Sequence, residues 1–87
     1  MKIRDGFILK TVAGKNIVVA AGAQVDFNVM LTLNDTGVFF WKLLSGGATK
    51  EEMLEKVTAE YDVDAKTAAA DIDAFTQKLR TRGILED

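Results

Sequence analysis

The sequence contains no cysteine, no histidine and no proline. Without cysteine there is neither a disulfide framework nor a thiolate metal site to supplement the core. Losing histidine as well removes both the usual general base and the best neutral-pH nucleophile, which excludes the common forms of acid–base and nucleophilic catalysis. The lack of proline fits a compact chain with no stiff linker. Positive charge is in slight deficit, with 11 Lys and Arg against 13 Asp and Glu for a net −2. That balance argues against nucleic acid as a partner, because such affinity comes largely from neutralising phosphates. No apolar run approaches the roughly 18 residues of a membrane span, and Met1-Lys2-Ile3-Arg4-Asp5-Gly6 lacks the apolar region of a secretory signal. A cytoplasmic, non-membrane protein is therefore expected.

The 87 residues suffice for one domain, expected to span 1–87, since a second core needs about 50 residues of its own. A chain this short buries only about 60 to 65% of its unfolded surface, so its stability should be modest.

Alternation and turn chemistry point to three strands. Phe7-Ile8-Leu9-Lys10-Thr11-Val12 and Ile17-Val18-Val19-Ala20 are rich in β-branched residues. Between them, Ala13-Gly14-Lys15-Asn16 offers Gly and Asn, which accept positive φ, so a hairpin is expected. From Val29 to Leu33, residues Val29, Leu31 and Leu33 share one face while Met30 and Thr32 share the other, which is the period of a third strand.

Three helices follow. Asn34 or Asp35 suits the N-cap of the first, in which Phe40, Trp41 and Leu44 form an apolar stripe before Gly46-Gly47 ends it. Gly37 costs about 1 kcal/mol against Ala inside a helix, so its presence implies close packing of the first turn on a neighbour. Thr49-Lys50-Glu51-Glu52 is a capping box opening the second helix, with Ala48 and Met53 placed as a hydrophobic staple and Leu54, Val57 and Tyr61 at helical spacing. Asp64 caps the third, where Ala68, Ile72, Phe75 and Leu79 fall within roughly 60° of one another. Gly83 closes it, and Ile84-Leu85 is placed to return as a short strand or tuck under the core. The expected fold is α+β and winged-helix-like, a three-stranded antiparallel sheet followed by three helices.

Chemistry-bearing clusters are absent. Asp71 and Asp73, two positions apart on a helix, point to opposite sides and read as solvated charges. Asp62-Val63-Asp64 is too sparse for a hard-cation loop, and Gly46-Gly47 follows a helix instead of opening one onto a phosphate. Neither enzymatic activity, nor a metal, nor a cofactor is expected. Three functions remain open from the residues alone. A winged-helix DNA binder would read bases with the third helix, but that helix opens Asp64-Ala65-Lys66-Thr67-Ala68-Ala69-Ala70-Asp71, acidic where phosphates would lie. A structural domain would form a homodimer through an exposed edge strand. A peptide binder would add an extended segment to the Val29–Leu33 strand, against a third helix that carries small residues Ala65, Ala69 and Thr76 on one flank.

The stretch Asp26-Phe27-Asn28, then Leu31-Thr32-Leu33-Asn34-Asp35-Thr36-Gly37, then Phe39-Phe40-Trp41 and Leu44, resembles the PqqD-like family. So do Tyr61-Asp62-Val63, Asp71-Ile72-Asp73-Ala74-Phe75 and Leu79. These peptide-recognition domains are also called RiPP recognition elements, and the resemblance covers nearly the whole chain. Val29 stands where many members carry Gly. The resemblance implies a non-catalytic peptide chaperone that captures the leader of a ribosomally made precursor peptide by strand addition. It also implies presentation of that peptide to a modifying enzyme, often a radical SAM enzyme. Carried onto this sequence, the docking edge is Val29, Met30, Leu31, Thr32 and Leu33, and the helical wall is Ala69, Asp73, Thr76 and Arg80.

Overall fold

The structure, a computed structural model, describes residues 1–20 and 31–87. The chain order is β1 (Lys2–Ile3), β2 (Phe7–Val12), β3 (Lys15–Ala20), β4 (Leu31–Leu33), α1 (Asp35–Ser45), α2 (Lys50–Glu60), α3 (Ala65–Thr81) and β5 (Leu85–Glu86). Strands β2, β3 and β4 form the expected antiparallel sheet in that spatial order. The β2–β3 turn is two residues long. Ala13 at φ 52° and Gly14 at φ 77° supply the doubly positive backbone that matches the twist of the flanking strands. Lys15 therefore pairs with Val12 as the first residue of β3 instead of sitting in the turn.

Register divides the sheet into two faces. Leu9, Val18 and Leu31 lie abreast across the three strands, and the latter two are buried. One position along, Lys10, Ile17 and Thr32 lie abreast on the opposite face, where Lys10 and Thr32 are exposed. The inner face joins one continuous core with Phe40, Trp41 and Leu44 of α1, Met53 and Val57 of α2, and Ala68, Ile72, Phe75 and Leu79 of α3. The apolar stripes expected of the first and third helices are thus buried as read. Tyr61 departs from its expected place in the second stripe. It is the C-cap of α2, 37% exposed, and stands edge-on to Phe39 with ring centroids 5.4 Å apart.

The caps form as the sequence indicates. Asn34 Oδ1 accepts the Gly37 amide at 2.8 Å, the Thr49–Glu52 box closes in both directions, and Asp64 Oδ1 accepts the Thr67 amide at 2.7 Å. The returning strand offered at Ile84-Leu85 forms as β5, whereas its partner β1 was not expected; the two pair with Ile3 opposite Leu85. Periodicity cannot reveal a strand of two residues; what makes this one is burial of Ile3, Ile84 and Leu85 together. The Arg4 amide donates to the Ile84 carbonyl at 2.8 Å, and the Ala48 amide to the Met1 carbonyl at 3.0 Å, fixing the N-terminal segment between α1 and α3.

Leu44 is fully buried, so Leu44→Ala should lower stability by about 2 to 5 kcal/mol. Ile8 is 40% exposed on the outer sheet face, and Ile8→Ala should cost less than about 1 kcal/mol. Urea denaturation of the two variants checks the contrast. Hydrogen bonds from the Thr67 amide and hydroxyl hold the Asp64 carboxyl below its usual range, and the Arg80 guanidinium does the same for Asp87. A carboxyl lowered by folding stabilises the fold fully above its unfolded value near pH 4 and stops doing so as pH falls through the lowered folded value. The double variant Asp64→Asn, Asp87→Asn should therefore show a shallower loss of melting temperature below about pH 4 than the parent chain.

Candidate functional site

The chain turns directly from β4 into α1 through the Asn34 cap, so the first turn of α1 lies at the end of the edge strand. Gly37 sits there, buried, between strand and helix. A Cβ on it would lie 3.2 Å from Leu33 Cβ and 3.4 Å from Phe75 Cε1. This is the close approach that the glycine implies: hydrogen in place of a side chain lets α1, β4 and α3 meet. Phe40 packs beside it, its ring centroid 5.5 Å from that of Phe75.

Above this junction runs an open cleft of about 300 Å³. Thr32, Leu33 and Asn34 form its strand side, and Thr36, Gly37 and Phe40 its floor. Asp71, Ala74, Phe75 and Lys78 form its α3 side. Among the described residues no strand pairs with the cleft margin of β4, because β3 occupies only the other margin. An unpaired strand margin presents main-chain donors and acceptors, and here an aromatic floor lies alongside. Such a site holds an extended backbone by hydrogen bonds and an apolar side chain by burial. Among the described residues its lining holds a single carboxylate, on Asp71, and a single amine, on Lys78.

The sequence-derived residues fall in three places. Leu31, Thr32 and Leu33 form the edge strand β4, with Leu31 and Leu33 buried and Thr32 exposed. Val29 and Met30 lie outside the described residues. Ala69, Asp73, Thr76 and Arg80 do not line the cleft. At 100° per residue they lie roughly 180° around α3 from Asp71, Ala74 and Lys78. Asp73 instead accepts an ion pair from Lys50 of α2 at 2.9 Å. Thr76 is buried, and its hydroxyl donates to the Ile72 carbonyl at 2.9 Å. Arg80 pairs with Asp87 at 2.7 Å and reaches Met1 Sδ at 3.3 Å. Small size marked Ala69 and Thr76 as trough residues, but small side chains also mark where α3 lies close against neighbouring elements.

The flank that borders the cleft, Asp71, Ala74, Phe75 and Lys78, was not singled out in the sequence as a wall. Its signal was present as a run at i, i+3, i+4 and i+7, which is one helical stripe. The small Ala74 within it leaves the aromatic edge of Phe75 accessible from the cleft.

No relative is found among curated proteins. Among solved structures the chain resembles TbiB1, determined in complex with the TbiA(beta) leader peptide. The two share 27% sequence identity with a TM-score of 0.79, over 99% of this chain and 95% of that one. Residues 15–85 match the family model described as coenzyme PQQ synthesis protein D (PqqD). The match spans β3, β4, all three helices and the start of β5, and so includes every residue of the cleft. The chain belongs to the PqqD family.

Proposed function

We propose that the protein is a RiPP recognition element, a binding module that captures the leader segment of a ribosomally made precursor peptide by adding it as a strand to β4. The observation that carries this reading is the β4 margin, with no partner strand among the described residues, beside an aromatic-floored cleft along α3. Affinity comes from main-chain hydrogen bonds along that margin, and selectivity from an apolar side chain lowered onto Phe40 and Phe75. Support also comes from membership in the PqqD family and from a solved relative that holds a leader peptide. On this reading the module performs no chemistry. It delivers the peptide to a separate modifying enzyme, for which a radical SAM enzyme is the first candidate, and it works in the cytoplasm. Among the described residues no helix is long and apolar enough to cross a membrane. The binding residues are Leu31, Thr32 and Leu33 on the strand and Asp71, Ala74, Phe75 and Lys78 on α3, with Val29 and Met30, outside the described residues, assigned to the same role from sequence alone.

Neighbouring residues of an antiparallel strand alternate in whether their amides face the paired strand or the free margin. One of Leu31→Pro and Thr32→Pro therefore deletes an outward donor while sparing the β3–β4 ladder. That variant should retain native Trp41 fluorescence and lose, in a titration, binding of a leader peptide that the parent chain captures. Undiminished binding by both variants, each folded, would count against strand addition. Binding should also persist as ionic strength rises, where phosphate-driven DNA binding would fall steeply.

Filling the floor tests the same cleft without touching the ladder. Gly37→Ala gains helix propensity worth up to about 1 kcal/mol and meets tight contacts, so its net effect should be small. Gly37→Leu should cost about 1 to 3 kcal/mol through overpacking and abolish peptide capture. Isothermal titration alongside thermal melts separates the two effects.

A further inference from the structure

The charges of α3 are divided between two flanks. On the flank away from the cleft two of the three are matched within the protein, Asp73 with Lys50 and Arg80 with Asp87, while Lys66 in the first turn enters no ion pair among the described residues. On the cleft flank neither charge is matched. Asp71 and Lys78 are both exposed, both line the cleft, and neither takes part in an ion pair among the described residues. Among the described residues they are also the only charged ones of its lining, which otherwise consists of polar and apolar side chains. Seven positions apart on a helix, they stand roughly 10 Å from each other along its axis. Between them in sequence lie Ala74 and Phe75, over the Phe40 and Gly37 floor.

An extended peptide in this cleft directs every second side chain toward α3, at roughly 6.7 Å for two positions and 13 Å for four. Three successive α3-facing side chains therefore span the interval between Asp71 and Lys78, given the reach of a lysine. We propose that Asp71 and Lys78 form a charge ruler that selects a peptide segment carrying a basic residue, an apolar residue and an acidic residue at alternate positions. The basic side chain lies at Asp71, the apolar one on Phe75 and Phe40, and the acidic one at Lys78. Because the two ends of the cleft differ in sign, the ruler also fixes the direction in which the peptide chain runs along β4. Main-chain pairing alone is far less selective, since a strand margin accepts parallel and antiparallel partners. The inference rests on the peptide-binding reading above and adds the class of peptide that the site takes.

The test pans a phage-displayed library of random peptides, about twelve residues long so that each overspans the roughly 13 Å ruler, against the full chain, with near-UV circular dichroism confirming its fold. Enriched peptides should carry opposite charges about four positions apart, with an apolar residue between and one order of charge dominant. The double variant Asp71→Lys, Lys78→Asp should enrich the reverse order. Synthetic peptides of the two orders should exchange affinity rank between the parent and the swapped chain, by roughly tenfold, as two attractive rim contacts become two repulsive ones. The single variants Asp71→Asn and Lys78→Gln should each lose selection at one charged position only, which keeps the test decisive if the double variant fails to fold. Enrichment without charge spacing, or with an order indifferent to the swap, overturns the ruler. Failure of the folded parent chain to enrich any peptide overturns the peptide-binding reading itself.

Discussion

The separation between the edge strand and the third helix is set at one residue. Gly37 stands where Leu33 of β4 and Phe75 of α3 converge on the first turn of α1, and the space a Cβ would take is already bounded at 3.2 and 3.4 Å. Asn34 fixes that turn from the other side by accepting the Gly37 amide. A helical glycine is unfavourable in isolation, yet here it allows three elements to meet at one point, and among the described residues no strand pairs with the margin beyond it. The cleft follows from that junction. Moving α3 inward would bury the margin under its own side chains, and moving it outward would expose Phe40 and Phe75.

The remainder of the fold holds α3 at this setting from its other flank. Lys50 ties it to α2 through Asp73, and Arg80 gathers the side-chain carboxylate of Asp87 and the sulfur of Met1. These surface pairs contribute little stability one by one. Their value lies in position, since they and the β1–β5 sheet brace the helix where no cleft is needed. Cleft-lining groups and ion-paired groups thus occupy opposite sides of one helix, and the buried stripe Ala68, Ile72, Phe75 and Leu79 runs between them.

Much of this was legible in the sequence, for reasons that are local. The hairpin followed from Gly14, the first cap from Asn34, the second helix start from the Thr49–Glu52 box, and the core face of α3 from four apolar residues at helical spacing. The close packing at Gly37 was legible because a glycine in a helix calls for a steric reason. The flank of α3 that meets β4 was not. A buried stripe has two flanks, each roughly 90° away, and the choice between them depends on which side of the sheet the helix crosses, a long-range matter on which the repeat is silent. Thr76 misled for a related reason: a hydroxyl that satisfies itself on the Ile72 carbonyl can be buried like an apolar residue. A return strand at the C-terminal end was read from Ile84-Leu85, but its partner Lys2–Ile3 was invisible, because a strand of two residues carries no pattern of its own.

The joining of the two chain ends has a mechanical meaning. Met1 bonds to Ala48 and approaches Arg80, which also grips Asp87, so both ends emerge together on the braced side of α3. The cleft side lies half a turn away. Joined by a short flexible connector, the ends should tolerate circular permutation, and the domain should survive insertion into a host polypeptide with its cleft still pointing outward. The architecture therefore behaves as a portable cassette, with its plug on one side and its socket on the other.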